Sequence, residues 1–166
     1  SFPTLSTIAQ FADSSQWSLD SQVMRSHQKH PRGNALILEY MAREYNVPSS
    51  FDKLIYASQI LQAEGIRIGL EAHRRSQPYC MGTLYWQLND CWPVASWSSI
   101  DYYGNWKALH YAVKEVFAQL ALSLSLDKNN LLQVSAMSEL AYEIDDTLEI
   151  SIYNLSKTLM ISNIKY

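Results

Sequence analysis

The chain has 166 residues, 48% of them hydrophobic and 17% charged, with a net charge of −3 from 13 basic and 16 acidic side chains. That balance fits a globular chain about one domain long and excludes a disordered one. With no basic surplus there is no call for nucleic acid, and with no apolar run near about 18 residues there is no membrane span. The opening Ser1-Phe2-Pro3-Thr4 has no initiator Met, basic stretch or apolar stretch, so it reads as a chain processed, engineered or cut from something larger rather than as a signal peptide.

Residues 3–30 read as helical and polar, with Leu5, Ile8, Ala9 and Phe11 near the start and Trp17, Leu19, Val23 and Met24 further on. A polar break from His27 ends at Pro31 and Gly33. Leu36, Ile37, Tyr40 and Met41 recur at helical spacing and predict a short helix over 34–45, stopped by Asn46-Val47-Pro48. A longer helix follows over 49–75. Ser49 would cap it, with Asp52 three residues on. Its stripe runs Phe51, Leu54, Ser58, Leu61, Gly65, Ile68 and Ala72, with small residues where the helix would lie close to its support. His73-Arg74-Arg75 put cations at the negative pole of the helix dipole and read as a solvated helix end.

Residues 80–88, from Cys80 to Leu88, are apolar and aromatic without polar alternation, which predicts a strand buried on both faces as in a parallel sheet. Such a strand holds Cys80 and Cys91 far beyond the ~5.5 Å Cα separation of a disulfide. They are expected as buried or half-buried free thiols, too few for a zinc site. After a loop from Asn89 to Gly104, Asn105 would cap a helix with the stripe Trp106, Leu109, Val113, Val116 and Leu120. Past residue 120 the period becomes two. Leu122, Leu124 and Leu126 alternate with serines, Asp127 to Asn130 form a turn, and Leu132, Val134 and Ala136 make the next strand face. Leu148, Ile150 and Ile152, then Leu159 and Ile161, give two more strands. The pattern predicts an α/β domain ending near residue 120 (1–120) followed by the start of an all-β domain (121–166), with neither half complete. The leucine faces of the strands are expected to meet in a sandwich core.

The aromatic residues concentrate in one stretch. Trp86, Trp92, Trp97 and Trp106 are four of the five tryptophans, and Asn89, Asp90 and Asp101 lie among them. A buried strand would deliver Trp86, Gln87, Asn89 and Asp90 to its C-terminal end, where ligands bind in α/β sheets and barrels. Tryptophan faces cover the C–H faces of sugar rings, and compact Asn and Asp groups suit paired hydroxyls. The combination points to a sugar. The competing reading is core packing at a domain junction, foremost for Trp106.

The segment also resembles a family. The pattern G-x-L-Y-W-Q-L-N-D-x-W-x-x-x-S-W-x-S falls on Gly82, Leu84 to Asp90, Trp92, Ser96, Trp97 and Ser99. A second run, Y-x-G-x-W-K-x-L-H-Y, falls on Tyr102, Gly104, Trp106, Lys107, Leu109, His110 and Tyr111. Both are similar to the end of the catalytic barrel in the β-mannosidases of glycoside hydrolase family 2. Ser1-Phe2-Pro3 resembles the stretch after that family's seventh barrel strand.

The resemblance implies the last part of a (β/α)₈ TIM barrel followed by strands of an immunoglobulin-like β-sandwich. It implies retaining exo-hydrolysis of terminal β-D-mannose from oligosaccharides by double displacement, which uses two carboxylates about 5 Å apart. In the family both are glutamates, and both would fall upstream of Ser1. Catalytic residues are therefore expected to be absent here. Trp86, Asn89, Asp90, Trp92 and Trp97 would line the sugar subsite, Asp90 by substrate contact or by supporting the site. Glu39, Glu44, Glu64, Glu71, Glu115, Glu139, Glu143 and Glu149 read as solvated surface acids. His27, His30, His73 and His110 share no metal spacing, and His110 reads as structural. No metal and no cofactor is expected. The expected partners are an oligosaccharide or mannoside substrate and the rest of the chain's own polypeptide. Two alternatives stand beside this: another family 2 specificity, β-galactosidase or β-glucuronidase, and a non-catalytic carbohydrate-binding protein. Family members are lysosomal, or periplasmic or cytoplasmic in bacteria, so the compartment stays open.

Overall fold

A computed structural model describes residues 1–154, 156 and 159–162. The stretch 3–30, expected to be helical, holds only short pieces: α1 (Leu5–Ile8), one 3₁₀ turn at Ser14–Gln16 and α2 (Gln22–Ser26). The hydroxyls of Thr4 and Ser21 start the two helices by accepting from the backbone N–H groups of Thr7 and Met24. Between them, Asp13, Ser14, Ser15, Ser18 and Asp20 offer side-chain partners to the backbone and favour turns over helix.

α3 (Gly33–Glu44) and α4 (Phe51–Arg75) match the two periodic stretches. At Gly33, where α3 begins, a Cβ would lie 2.3 Å from the amide end of the Gln28 side chain, which would have to move aside. The cap of α4 is Ser50 rather than Ser49. Its stripe holds through Leu54 and Ser58. The Ser58 hydroxyl donates to the Ile55 carbonyl at 2.7 Å and accepts from the Phe2 N–H at 3.2 Å. Past Leu61, which still packs against the buried core, the stripe leaves it: Ile68 is 59% exposed, and the buried residues become Ala63, Leu70, Glu71 and Arg74. A strict seven-residue repeat drifts about 20° per heptad on a straight helix, so over this length the accumulated rotation approaches a neighbouring face.

The first half of α4 closes a core with Phe2, Ile8, Ala12, Met24, Met41 and Ala95. The second half closes another, Leu70 against Leu109, Val113 and Val116 of α5 (Ala108–Val116). α5 starts after Lys107, not at Asn105. Trp106 therefore lies outside the helix at 42% exposure, and Leu120 has already entered a strand. The Asn105 amide is used elsewhere, donating to the Thr7 hydroxyl at 2.9 Å.

β1 (Leu120–Leu126) and β2 (Leu132–Ser138) form an antiparallel hairpin, with Leu122 opposite Ala136, Leu124 opposite Val134 and Leu126 opposite Leu132. The Asp127 carboxylate fastens the turn, accepting from the N–H groups of Asn129 at 2.7 Å and Leu131 at 2.9 Å. The alternation read from the sequence is present, but the covered face is the other one. Leu122, Leu124 and Leu126 are more than half exposed, while Ser123 and Met137 are buried. No strand runs through Leu148 and Ile150. β3 (Ser151–Tyr153) and β4 (Leu159–Ser162) pair in a separate two-stranded sheet.

The serine face is covered because the end of α4 reaches it. Glu71 accepts from the Ser123 hydroxyl at 2.5 Å and from Arg67 at 2.7 Å, and Arg75 also donates to Ser123. Arg74 donates to the carbonyls of Val116 and Ala118 and pairs with Glu139 at 3.2 Å. Arg74 and Glu71 are thus buried joints between helix and hairpin, against the expectation of a solvated helix end and a surface acid. Both charges are paired, the condition under which burial is tolerated, although Arg74 Nε and Nη2 are buried without a hydrogen bond and Nη2 meets Glu139 only as an ion pair.

The expected strand over 80–88 is not formed. A parallel strand needs hydrogen-bonded neighbours on its edges, and the backbone of this stretch bonds to a distant segment only at its end, Gln87 and Leu88 to 97–100. Leu84 is accordingly 99% exposed, Met81 72% and Leu88 54%. Cys80 is half-buried, whereas Cys91 is exposed rather than buried.

Candidate functional site

The segment 86–107 folds back on itself. The Gln87 carbonyl accepts from the Ser99 N–H at 2.9 Å and the Leu88 carbonyl from the Ile100 N–H at 2.8 Å. Ile100 bridges Asn89 on one side and Trp106 on the other. A further clasp joins Ala95 to the backbone of His27 and Lys29. The Trp86–Gln87 peptide is cis.

Two buried carboxylates organise this loop. Asp90 accepts from the hydroxyls of Ser96 at 2.9 Å and Ser98 at 2.5 Å, and from the Gln87 amide at 3.3 Å. Asp101 accepts from the Thr7 hydroxyl at 2.5 Å and from the N–H groups of Tyr103 and Asn105 at 3.1 and 2.9 Å. It thereby ties the turn 101–104 to α1. Gly104 sits in that turn at φ +84°, a region glycine enters without steric cost.

Between the carboxylates lies Lys107, with no exposed surface. Its ammonium donates to the Ser1 carbonyl at 3.4 Å, the Ser96 carbonyl at 3.5 Å and the Ser98 hydroxyl at 3.4 Å, which uses all three protons. Burial pushes its pKa down to about 8, partly opposed by the charges of Asp90 and Asp101. Beneath it, Ser99 links the Tyr85 hydroxyl at 2.9 Å to the His110 ring at 3.1 Å, and His110 packs on Trp106.

The five residues proposed from the sequence occupy different settings. Trp86 is 71% exposed and Trp97 41% exposed, and Asn89 is exposed as well. Trp92 is half-buried against His27, which stacks on Phe11 at 4.0 Å. Asp90 is buried with its oxygens occupied by the loop. Trp97 faces a cleft of about 990 Å³ between α3 and α4, shared with His30, Tyr40, Tyr45, Leu61 and Gln62; the other four residues do not line it. Among the described residues no group of three or more His, Cys, Asp or Glu side chains is placed to hold a metal ion.

The sequence reading gave no role to Lys107, Asp101, Ser96 or Ser98. A signal was present. A lysine between Trp106 and Leu109, preceded by Ser96, Ser98 and Ser99, pairs a charge in apolar surroundings with nearby hydroxyls able to satisfy it.

No family model matches the chain. Curated relatives do. The β-mannosidase of Capra hircus is 30% identical over 97% of this chain and 20% of its own length. That of Mus musculus is 31% identical over 94% and 19%, and β-mannosidase B of Aspergillus niger is 34% identical over 74% and 15%. Among solved structures, the β-D-mannosidase of Dictyoglomus thermophilum superposes with a TM-score of 0.81 at 27% identity, over 100% of this chain and 21% of that one. The Amycolatopsis orientalis exo-chitosanase shares the fold, with a TM-score of 0.78 at 20% identity over 98% and 20%. The chain spans about a fifth of the length of the first of these relatives. Matched along nearly its whole length, the chain is similar to one segment of the β-mannosidases, which are glycoside hydrolases.

Proposed function

We propose that this chain is a sugar-facing segment of a retaining exo-β-mannosidase, acting within a longer polypeptide. Residues 1–120 are the closing part of its (β/α)₈ barrel and 121–166 open an immunoglobulin-like β-sandwich. The observation that carries this reading is the match to the Dictyoglomus thermophilum β-D-mannosidase along the full chain. The bare stretch Met81, Leu84, Trp86 and Leu88 supports it, because an apolar surface of this kind suits neighbouring parallel strands.

In this reading the two carboxylates of the displacement chemistry come from elsewhere in the polypeptide. The present residues bind and orient. Trp86 and Trp97 offer ring faces to the sugar, Asn89 a donor and an acceptor to its hydroxyls, and Trp92 backs the wall. Asp90 is the support: with both oxygens held by Ser96, Ser98 and Gln87, it fixes the loop that carries Trp97.

The test is a panel of aryl glycosides offered to the longer polypeptide: β-mannoside, β-galactoside, β-glucuronide and β-glucosaminide. Preferential turnover of the β-mannoside is expected, with none by residues 1–166 alone. Preference for another sugar, or hydrolysis of none, would overturn the assignment.

A further inference from the structure

We propose that Lys107 is a positioning residue of this site: its ammonium holds the 96–98 backbone and, through Ser98, the Asp90 carboxylate, so that Trp97 is presented to the sugar. The inference rests on the β-mannosidase reading above and names a device within it. The Lys107 ammonium ties its own segment to two others, the first residue and the stretch 96–98. Its three bonds end on Ser1, Ser96 and Ser98, and Ser98 passes the contact to Asp90 at 2.5 Å. Trp97 lies between the two held serines. Its own carbonyl is fixed by the Gln62 amide at 2.8 Å, so its backbone is restrained from both sides.

A wholly buried ammonium is costly, and a methionine of similar length would fill the space at no charge penalty. The use of lysine fits a role beyond filling. The charged groups around it are Asp90 and Asp101 from the loop and the Ser1 amine from the opening segment. That amine donates to the Ser96 carbonyl at 2.9 Å, and in a longer polypeptide the same nitrogen is a peptide N–H that carries no charge. A pKa near 8 places loss of the ammonium just above neutrality.

The experiment compares the longer wild-type polypeptide with its Lys107→Met and Ser98→Ala variants on an aryl β-mannoside, from pH 5 to 10. Both variants are expected to lose at least about tenfold in kcat/KM at pH 6, mainly through KM, since a ground-state sugar contact is lost. Wild-type kcat/KM is expected to fall above pH 8 without a matching fall in melting temperature, and Lys107→Met to lack that alkaline limb. A folded Lys107→Met within twofold of wild type, or with the limb intact, overturns the proposal. Should Lys107→Met fail to fold, Ser98→Ala decides: an unchanged kcat/KM overturns the proposal and a raised KM supports it. Wild type without β-mannoside turnover overturns the substrate reading and this inference with it, whereas active wild type with unaffected variants overturns this inference alone.

Discussion

Replacing Arg74 with Met removes the guanidinium that joins the end of α4, the end of α5 and β2, while keeping most of the apolar stem. Arg74 is 7% exposed and donates to the carbonyls of Val116 and Ala118, which end α5 without helical partners of their own. Hydrogen bonds to a charged group contribute roughly 1.5–3 kcal/mol each, and a buried acceptor left bare costs about 1–3 kcal/mol. The Val116 carbonyl is buried, so no water replaces the lost donor; the Ala118 carbonyl is only partly buried and rehydrates. One full penalty and one partial one give a loss of about 3 kcal/mol. Glu139, the ionic partner, is 55% exposed on its side chain, so Glu139→Gln should cost less than about 1 kcal/mol. Urea unfolding of the chain, followed by far-ultraviolet circular dichroism and tryptophan fluorescence, measures both. The reasoning fails if Arg74→Met costs under about 1 kcal/mol, or if the two substitutions cost the same.

Leu109→Ala, at a position with no exposed surface between α4 and α5, should cost about 2–5 kcal/mol in the same unfolding assay; a value under 1 kcal/mol would mean that this core is not the joint between the helices. Lys107 also links stability to pH. Its folded pKa of about 8 lies below the ordinary lysine value near 10.4, so below pH 8 both states are protonated and the burial penalty is present in full. Between these values the folded state loses its proton first, and stability rises with pH by up to about 3 kcal/mol. Urea unfolding of wild type and Lys107→Met at pH 7 and pH 10 should show wild type gaining relative to the variant, and a constant difference would refute the assignment. In the longer polypeptide, Trp86→Ala should lower kcat/KM on a β-mannoside at least about tenfold and more than Trp106→Ala does, because Trp106 packs on His110 and Tyr111 within the chain. Equal effects would remove the distinction between wall and support.

What could be read in advance was local. The 3.6-residue stripe of α4, the helical spacing of Leu36 to Met41 and the alternation of Leu122 to Leu126 each depend on neighbours a few positions away, and each element formed. Which face is covered depends on distant partners, and there the local pattern fell short. The hairpin laid its serine face on α4 because Glu71 and Arg75 reach Ser123, an arrangement that hydrophobic periodicity does not register. The apolar run 80–88 has strand composition but lacks the edges a parallel strand requires. At the site, the tryptophans and the Asn89 and Asp90 among them stood out because aromatic clustering is visible along one line of sequence. Lys107 did not, since its role comes from carbonyls supplied by Ser1 and Ser96 and a hydroxyl supplied by Ser98, brought together only by folding.

The central claim is that the loop built on Asp90 carries the sugar-contacting face of a β-mannosidase. A crystal structure of the longer polypeptide with a bound mannose-configured inhibitor tests it directly. The account predicts ring atoms of Trp86 or Trp97, and the Asn89 amide, within contact distance of the sugar, about 4 Å or less, with Asp90 still held by Ser96 and Ser98. An inhibitor bound with none of residues 86–97 within that distance would contradict it.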